Sequence, residues 1–380
     1  MLGTEFVVRT ADAIDLPLKR FTPSGPRPTR SVLMLHGASA SSDTFLTPNG
    51  GITKYLLERG IEVWLLDWRG SKLVVDQYGP EHTPRFTFDH VAELDIPAAL
   101  THIRRVSPCR QLSIFAHCIG ATCVSMAVQR GLLAPFSVEE YVLSTVGLFF
   151  RAPLESFLKA EDGILERVSA EAPSCTGIDP NRPEEWPDAM RRAYAAWPAV
   201  LLPQGSAPAD EVYRRASFMF GAPYQRALVP DEVHARVGSL FGRIRLPLFM
   251  HAGQCLRRGY AAPFDAAEHG PRAVAERGRH LDASAFDGTR VTLITGRSNQ
   301  LWHRESIDEM YEWLRNETRG QHRKHVLPRY GHQDLLWGVD APRDVYPLIL
   351  DGLTARSRAT AAMPVALESF ARSPALSAAG

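Results

Sequence analysis

The chain lacks a charge bias, a long apolar run and a cysteine framework. Lys and Arg number 43 against 42 Asp and Glu, a formal net charge of +1, so nothing in the composition suggests a nucleic-acid partner. The longest near-apolar stretch, around Tyr141 to Phe150, is too short for a bilayer span, which needs about 20 residues. Met1 to Thr10 contains Glu5 and Arg9 and no apolar signal core, so a cytoplasmic address is expected. Five cysteines (Cys109, Cys118, Cys123, Cys175, Cys255) form no CxxC pair. That excludes a zinc ribbon or a redox CxxC and argues against a disulfide framework. No G-x-G-x-x-G follows an early strand and no internal repeat occurs, so neither a cofactor nor a metal is expected.

What the 380 residues do have is matter for a core, with 45% hydrophobic and 22% charged residues, enough for one large domain or two smaller ones. Two short alternating segments, Glu5 to Thr10 and Leu16 to Phe21, read as strands. Continuous apolar runs follow at Ser31 to Gly37, ending in a loop, and at Ile61 to Asp67 and Leu112 to Ala116, the form of parallel strands buried on both faces. Helical patterns lie between them at Thr53 to Arg59 and Phe88 to Val106. Val138 to Phe149 supplies another strand, and then the alternation stops. Residues 151–288 are rich in proline and charge and helical in texture, with helices expected at Glu185 to Trp197 and Asp210 to Met219. Strand and helix return at Arg290 to Ile294, Glu305 to Glu317, His322 to Leu327 and Val345 to Leu353. The expected class is therefore α/β, a mostly parallel sheet flanked by helices. Its core would be 1–150 and 289–355, with a mainly helical cap at 151–288 and a loose tail at 356–380.

Chemistry concentrates in Ile114-Phe115-Ala116-His117-Cys118-Ile119-Gly120-Ala121. An apolar strand runs into small–x–Cys–x–Gly and a helix follows, the pattern of a nucleophile elbow with cysteine in place of serine. A helix N-terminus at Cys118 favours a thiolate, whereas a buried core cysteine would explain the residue alone. Upstream, Leu35-His36-Gly37-Ala38-Ser39 ends a strand where one oxyanion-hole amide is expected, so the backbone N–H groups of Ala38 and Ile119 would flank a developing oxyanion. His36 reads as a brace for that loop. His332, in Arg329-Tyr330-Gly331-His332-Gln333-Asp334 after the last strand, is the expected base. The acid position, three residues beyond Gly296, holds Asn299, which could accept the imidazole N–H through its amide oxygen; Asp334 is the alternative. Trp186, Trp197, Phe218 and Phe220 could line a substrate pocket or form ordinary cap core.

These segments, together with Arg214 to Gly221, Gly296 to Asn299 and Arg343-Asp344-Val345-Tyr346-Pro347, resemble the α/β-hydrolase superfamily. More narrowly, the chain resembles the hydrolase domains fused to, or encoded beside, bacterial cholesterol-oxidase-like proteins, over about Val32 to Leu350. Cysteine at the elbow and asparagine at the acid position occur in that group too. The resemblance implies an α/β-hydrolase fold and acyl transfer through an acyl-Cys118 thioester. Water as acceptor would give an esterase or thioesterase; an alcohol, amine or thiol would give an acyltransferase. The expected partner is a small acyl ester or thioester, with oligomeric state left open. A non-catalytic binding protein on the same fold is the other class, disfavoured by the joint presence of Cys118, His332 and the His-Gly loop.

Overall fold

The computed structural model describes residues 3–48, 50–138, 140–198, 203–265 and 281–355. The expected tail at 356–380, and 199–202 and 266–280 of the expected cap, lie outside the described residues. The strands are β1 (Thr4–Arg9), β2 (Asp15–Phe21), β3 (Arg30–Leu35), β4 (Ile61–Leu66), β5 (Gln111–His117), β6 (Glu140–Ser144), β7 (Gly177–Ile178), β8 (Ile244–Arg245), β9 (Arg290–Gly296) and β10 (Arg323–Leu327). Eight of them form one sheet in the order β1-β2-β4-β3-β5-β6-β9-β10. β1, β2 and β4 pair antiparallel; every pair from β4 to β10 is parallel. β7 and β8 make a separate antiparallel ribbon.

The parallel strands are continuous apolar runs because both faces are covered. Leu33, Leu35, Trp64, Leu66, Ile114 and Ala116 pack on one side with the helices Ile96–Val106 and Ile119–Gln129. The alternate residues Val32, Met34, Val63, Leu65 and Phe115 pack on the other with Gly51–Leu57 and Tyr346–Leu353. The period of two along each strand sends neighbours to opposite faces. From β3 the chain crosses to β4 on one side and then to β5 on the other, so the C-terminal ends of β3 and β5 border a topological switch point.

The expected helix Phe88 to Val106 is interrupted. Val91–Asp95 form a π turn in which Ile96 N–H bonds to Val91 O, before the helix resumes at Ile96. Pro97 has no N–H to donate and its ring opposes the carbonyl four residues back, so the ladder slips by one residue. The slip accompanies a buried ion pair. Arg69, just past β4, donates from Nη2 to Asp95 Oδ1 at 2.7 Å and from Nε at 2.9 Å, and Arg69 Nη1 reaches Asp12 at 3.0 Å. The expected helix Glu185 to Trp197 starts at Asp188, because Pro187 forms its N-terminal boundary and Pro183–Glu185 make a separate 3₁₀ turn. Segment 151–288 leaves the sheet after β6 and rejoins it at β9, and its described part is mainly helical. Among the described residues no helix is long and apolar enough to cross a membrane.

Asp95→Asn leaves the buried Arg69 with Asp12 as its one remaining carboxylate among the described residues, and is expected to lower unfolding free energy by about 1–3 kcal/mol in urea titration. A loss under about 1 kcal/mol would show that the pair contributes little.

Candidate active site

Cys118 stands between β5 and the helix Ile119–Gln129 with φ 56° and ψ −134°, a positive φ rare for a residue with a side chain. Its backbone is fixed on both sides: Cys118 N–H donates to Ser144 O at 3.0 Å, and Cys118 O accepts from Ala121 N–H at 2.8 Å. Two glycines make the approach of β3 and β5 feasible. A Cβ on Gly120 would stand 2.5 Å from His36 O, and one on Gly37 would stand 2.8 Å from Cys118 Cβ. Both positions therefore exclude any side chain, which gives a steric reason for the small residues around the elbow.

Burial pushes the Cys118 thiol up to about 11, against the opposing pull of the Trp302 indole N–H and the backbone N–H groups of Ile119 and Ala38. Those three donors stand by the sulfur, and the indole nitrogen has no other acceptor among the described residues. His36 braces the loop that carries Ala38. Its Nδ1 bonds to Gly37 O at 2.7 Å, its ring stacks on Trp68 at 5.3 Å, and Trp68 Nε1 donates to His36 O at 3.0 Å.

His332 is buried in the loop after β10, its ring 4.7 Å from that of His117. Neither ring nitrogen of His332 has a hydrogen-bond partner among the described residues. Burial, reinforced by His117, holds its pKa well below the usual imidazole value. His117, held at Nδ1 by Ser144 Oγ at 3.1 Å, is pushed down by burial to about 3. Burial thus favours the neutral form of both rings.

Two expectations are corrected. The Asn299 amide oxygen does not take the imidazole N–H: it accepts from Leu301 N–H at 2.9 Å and Trp302 N–H at 3.2 Å. Asparagine commonly closes turns in this way, and here the turn presents Leu301 and Trp302 to the pocket. Asp334 is no substitute, because its carboxylate accepts Gly331 N–H at 2.7 Å and Gln225 N–H at 3.2 Å. It clamps the backbone of the His332 loop and leaves the ring alone.

Cys118, Ala38, Ile119 and His332 border one cavity of about 120 Å³, with a mostly apolar wall from segment 151–288. Phe218 and Phe220 line it. Trp186 and Trp197 do not; they pack behind Phe218 at 6.3 and 5.7 Å between ring centroids, and Trp186 Nε1 donates to Asp179 O. Sequence reasoning missed Trp302. Its signal was local, an asparagine whose turn closes on the next residues.

No family model matches the chain. It is 27% identical to a tear acid lipase-like protein of Mesocricetus auratus over 175 residues, 42% of this chain and 41% of that protein. The chain thus spans under half the length of that relative. It is 22% identical to lipase lipl-1 of Caenorhabditis elegans over 352 residues, covering 87% of this chain and 80% of the relative. A lipase solved in its open form superposes with a TM-score of 0.62 at 13% identity, covering 93% of this chain and 99% of that one. The fold is the α/β-hydrolase fold.

A thiol raised to about 11 ionises little at neutral pH. Carbamidomethylation of Cys118 by iodoacetamide, followed by peptide mapping, is expected to accelerate about tenfold per pH unit between about pH 6 and 9. A plateau below about pH 8 would instead reveal a preformed thiolate–imidazolium pair.

Proposed function

We propose that the protein hydrolyses a carboxylic ester or thioester through an acyl-Cys118 intermediate, with His332 as the base. The observation that carries this reading is the strained Cys118 at the head of a helix, beside the Ala38 and Ile119 amides, on the floor of an apolar pocket. The names of the relatives, two lipases, support ester hydrolysis.

In the proposed reaction the neutral His332 imidazole accepts the thiol proton as sulfur bonds to the acyl carbon. Burial beside His117 favours the unprotonated form a base needs but also weakens the imidazole as a base, so the proton transfer depends on the oxyanion forming in the same step. The hydrogen bond between thiol and imidazole, absent from the free protein, forms when substrate fills the pocket. Charge collects on the former carbonyl oxygen, which the N–H groups of Ala38 and Ile119 receive. Collapse breaks the bond to the leaving alkoxide or thiolate, which takes the proton from the imidazolium. Water then gives a proton to His332 and attacks the thioester; the released thiolate recovers a proton as the acid leaves. Among the described residues no carboxylate bonds to His332, a gap that a thiol tolerates better than a hydroxyl would. Asn299 contributes through the turn it closes, and segment 151–288 acts as a cap that admits an apolar acyl chain.

Hydrolysis of a panel of aryl esters and acyl thioesters tests this. Cys118→Ala is expected to abolish turnover, and His332→Ala to lower kcat/KM by about 10²–10⁴-fold in a folded protein. Asn299→Asp keeps an acceptor for Leu301 and Trp302 N–H and is expected to retain activity, whereas Asn299→Ala loses the turn and most of the rate. Full turnover by Cys118→Ala would remove the nucleophile from the account. Near-full turnover by His332→Ala would require another base.

A further inference from the structure

The pocket at the Cys118 thiol is apolar along most of its wall, yet Lys159, Glu166 and Arg257 also line it. They come from the helices Leu154–Glu161, Ile164–Glu171 and Leu246–Arg258, which pack on one another and carry none of the groups beside the sulfur. Lys159 is half-buried there, and a wholly apolar acyl chain would cover its ammonium without supplying an anion, which is costly.

Glu166 and Arg257 neutralise each other. Arg257 Nη2 lies 3.1 Å from Glu166 Oε1, and Arg257 Nη1 donates to Ala160 O at 2.8 Å. Lys159 differs. Its Nζ donates to the carbonyl oxygen of Phe218 and stands over the rings of Trp197 and Phe218, 4.9 and 5.3 Å from their centroids. Aromatic faces attract a cation but carry no countercharge. An ammonium has three donors, and the Phe218 carbonyl uses one. Glu155, one turn away on the same helix, acts on it only at longer range. Burial lowers the amine to about 8, so it still carries its charge at neutral pH.

We propose that Lys159 receives a carboxylate at the far end of the acyl chain, so that the favoured substrates are monoesters or monothioesters of dicarboxylic acids. The inference rests on the reading of Cys118 as the acylated residue, since that fixes which end of the substrate reaches Lys159. The apolar wall takes the methylene chain, the ammonium takes the terminal carboxylate, and the Glu166–Arg257 pair closes the same end without adding net charge.

The experiment compares kcat/KM for p-nitrophenyl monoesters of dicarboxylic acids, in a graded length series, with p-nitrophenyl alkanoates of equal length. At the best-fitting length the wild type is expected to favour the carboxylate by about 10- to 100-fold, the range of a charge-assisted hydrogen bond. Lys159→Met is expected to bring that ratio near one, and Lys159→Arg to keep part of it. A wild type that shows no preference at any length overturns the proposal, as does a Lys159→Met variant with the wild-type ratio. Binding of monomethyl dicarboxylates and methyl alkanoates to Cys118→Ala, read by calorimetry, reports the same contact without turnover. Tighter binding of the dicarboxylate there, with no ester cleaved by the wild type, would retire the hydrolase reading and keep Lys159. Equal binding would retire Lys159 and leave the hydrolase reading to its own tests.

Discussion

Between His36 O and the place where a Cβ on Gly120 would stand there are 2.5 Å, room for a hydrogen and nothing larger. That closeness of the ends of β3 and β5 fixes the rest of the site. It leaves Cys118 at the head of the helix Ile119–Gln129 with φ 56°, and it brings the amides of Ala38 and Ile119 to its sulfur. The conformation is costly and persists because the sheet beneath over-determines it. The parallel pairing of β3, β5 and β6, buried on both faces, cannot slip by one residue without exchanging the side chains packed in its two apolar clusters.

Burial raises the thiol to about 11 and lowers the pKa of His332 and His117, while Asp334 gives its carboxylate to the backbone of the His332 loop. What opposes burial at the sulfur is a set of neutral donors, two backbone amides and the Trp302 indole. In the proposed reaction charge appears only with substrate present, on an oxygen for which the amides are preorganised. The charged groups of the pocket lie on other helices, in Lys159 and the Glu166–Arg257 pair. One cavity is thus lined both by Cys118 and His332 and by Lys159 with the Glu166–Arg257 pair.

Much of this was legible in the sequence, and for local reasons. Continuous apolar runs such as Ile61 to Asp67 have few fates other than a sheet covered on both faces, and Ala116, Cys118 and Gly120 between strand and helix define a turn that few other residues permit. The limits were also physical. The π turn at Val91–Asp95 follows from Pro97 meeting the buried demand of Arg69 for Asp95, a contact that spacing does not reveal. Asn299 stood where a triad acid belongs, but two N–H groups two and three residues on compete for its single oxygen, and the local partners win. Trp186, Trp197, Phe218 and Phe220 were equivalent as aromatic residues; only packing separates the two that face the cavity from the two behind them. Lys159 gave no signal at all, because nothing in its own helix distinguishes it from a solvated lysine.

The central claim is that acyl groups become bound to sulfur at one position. Rapid quenching in acid during turnover of a p-nitrophenyl ester, followed by intact mass and peptide mapping, measures this directly. The account predicts a mass increase of one acyl group on the peptide containing Cys118, absent in Cys118→Ala. Turnover with no adduct at Cys118, or an adduct confined to Cys109, Cys123, Cys175 or Cys255, would contradict it.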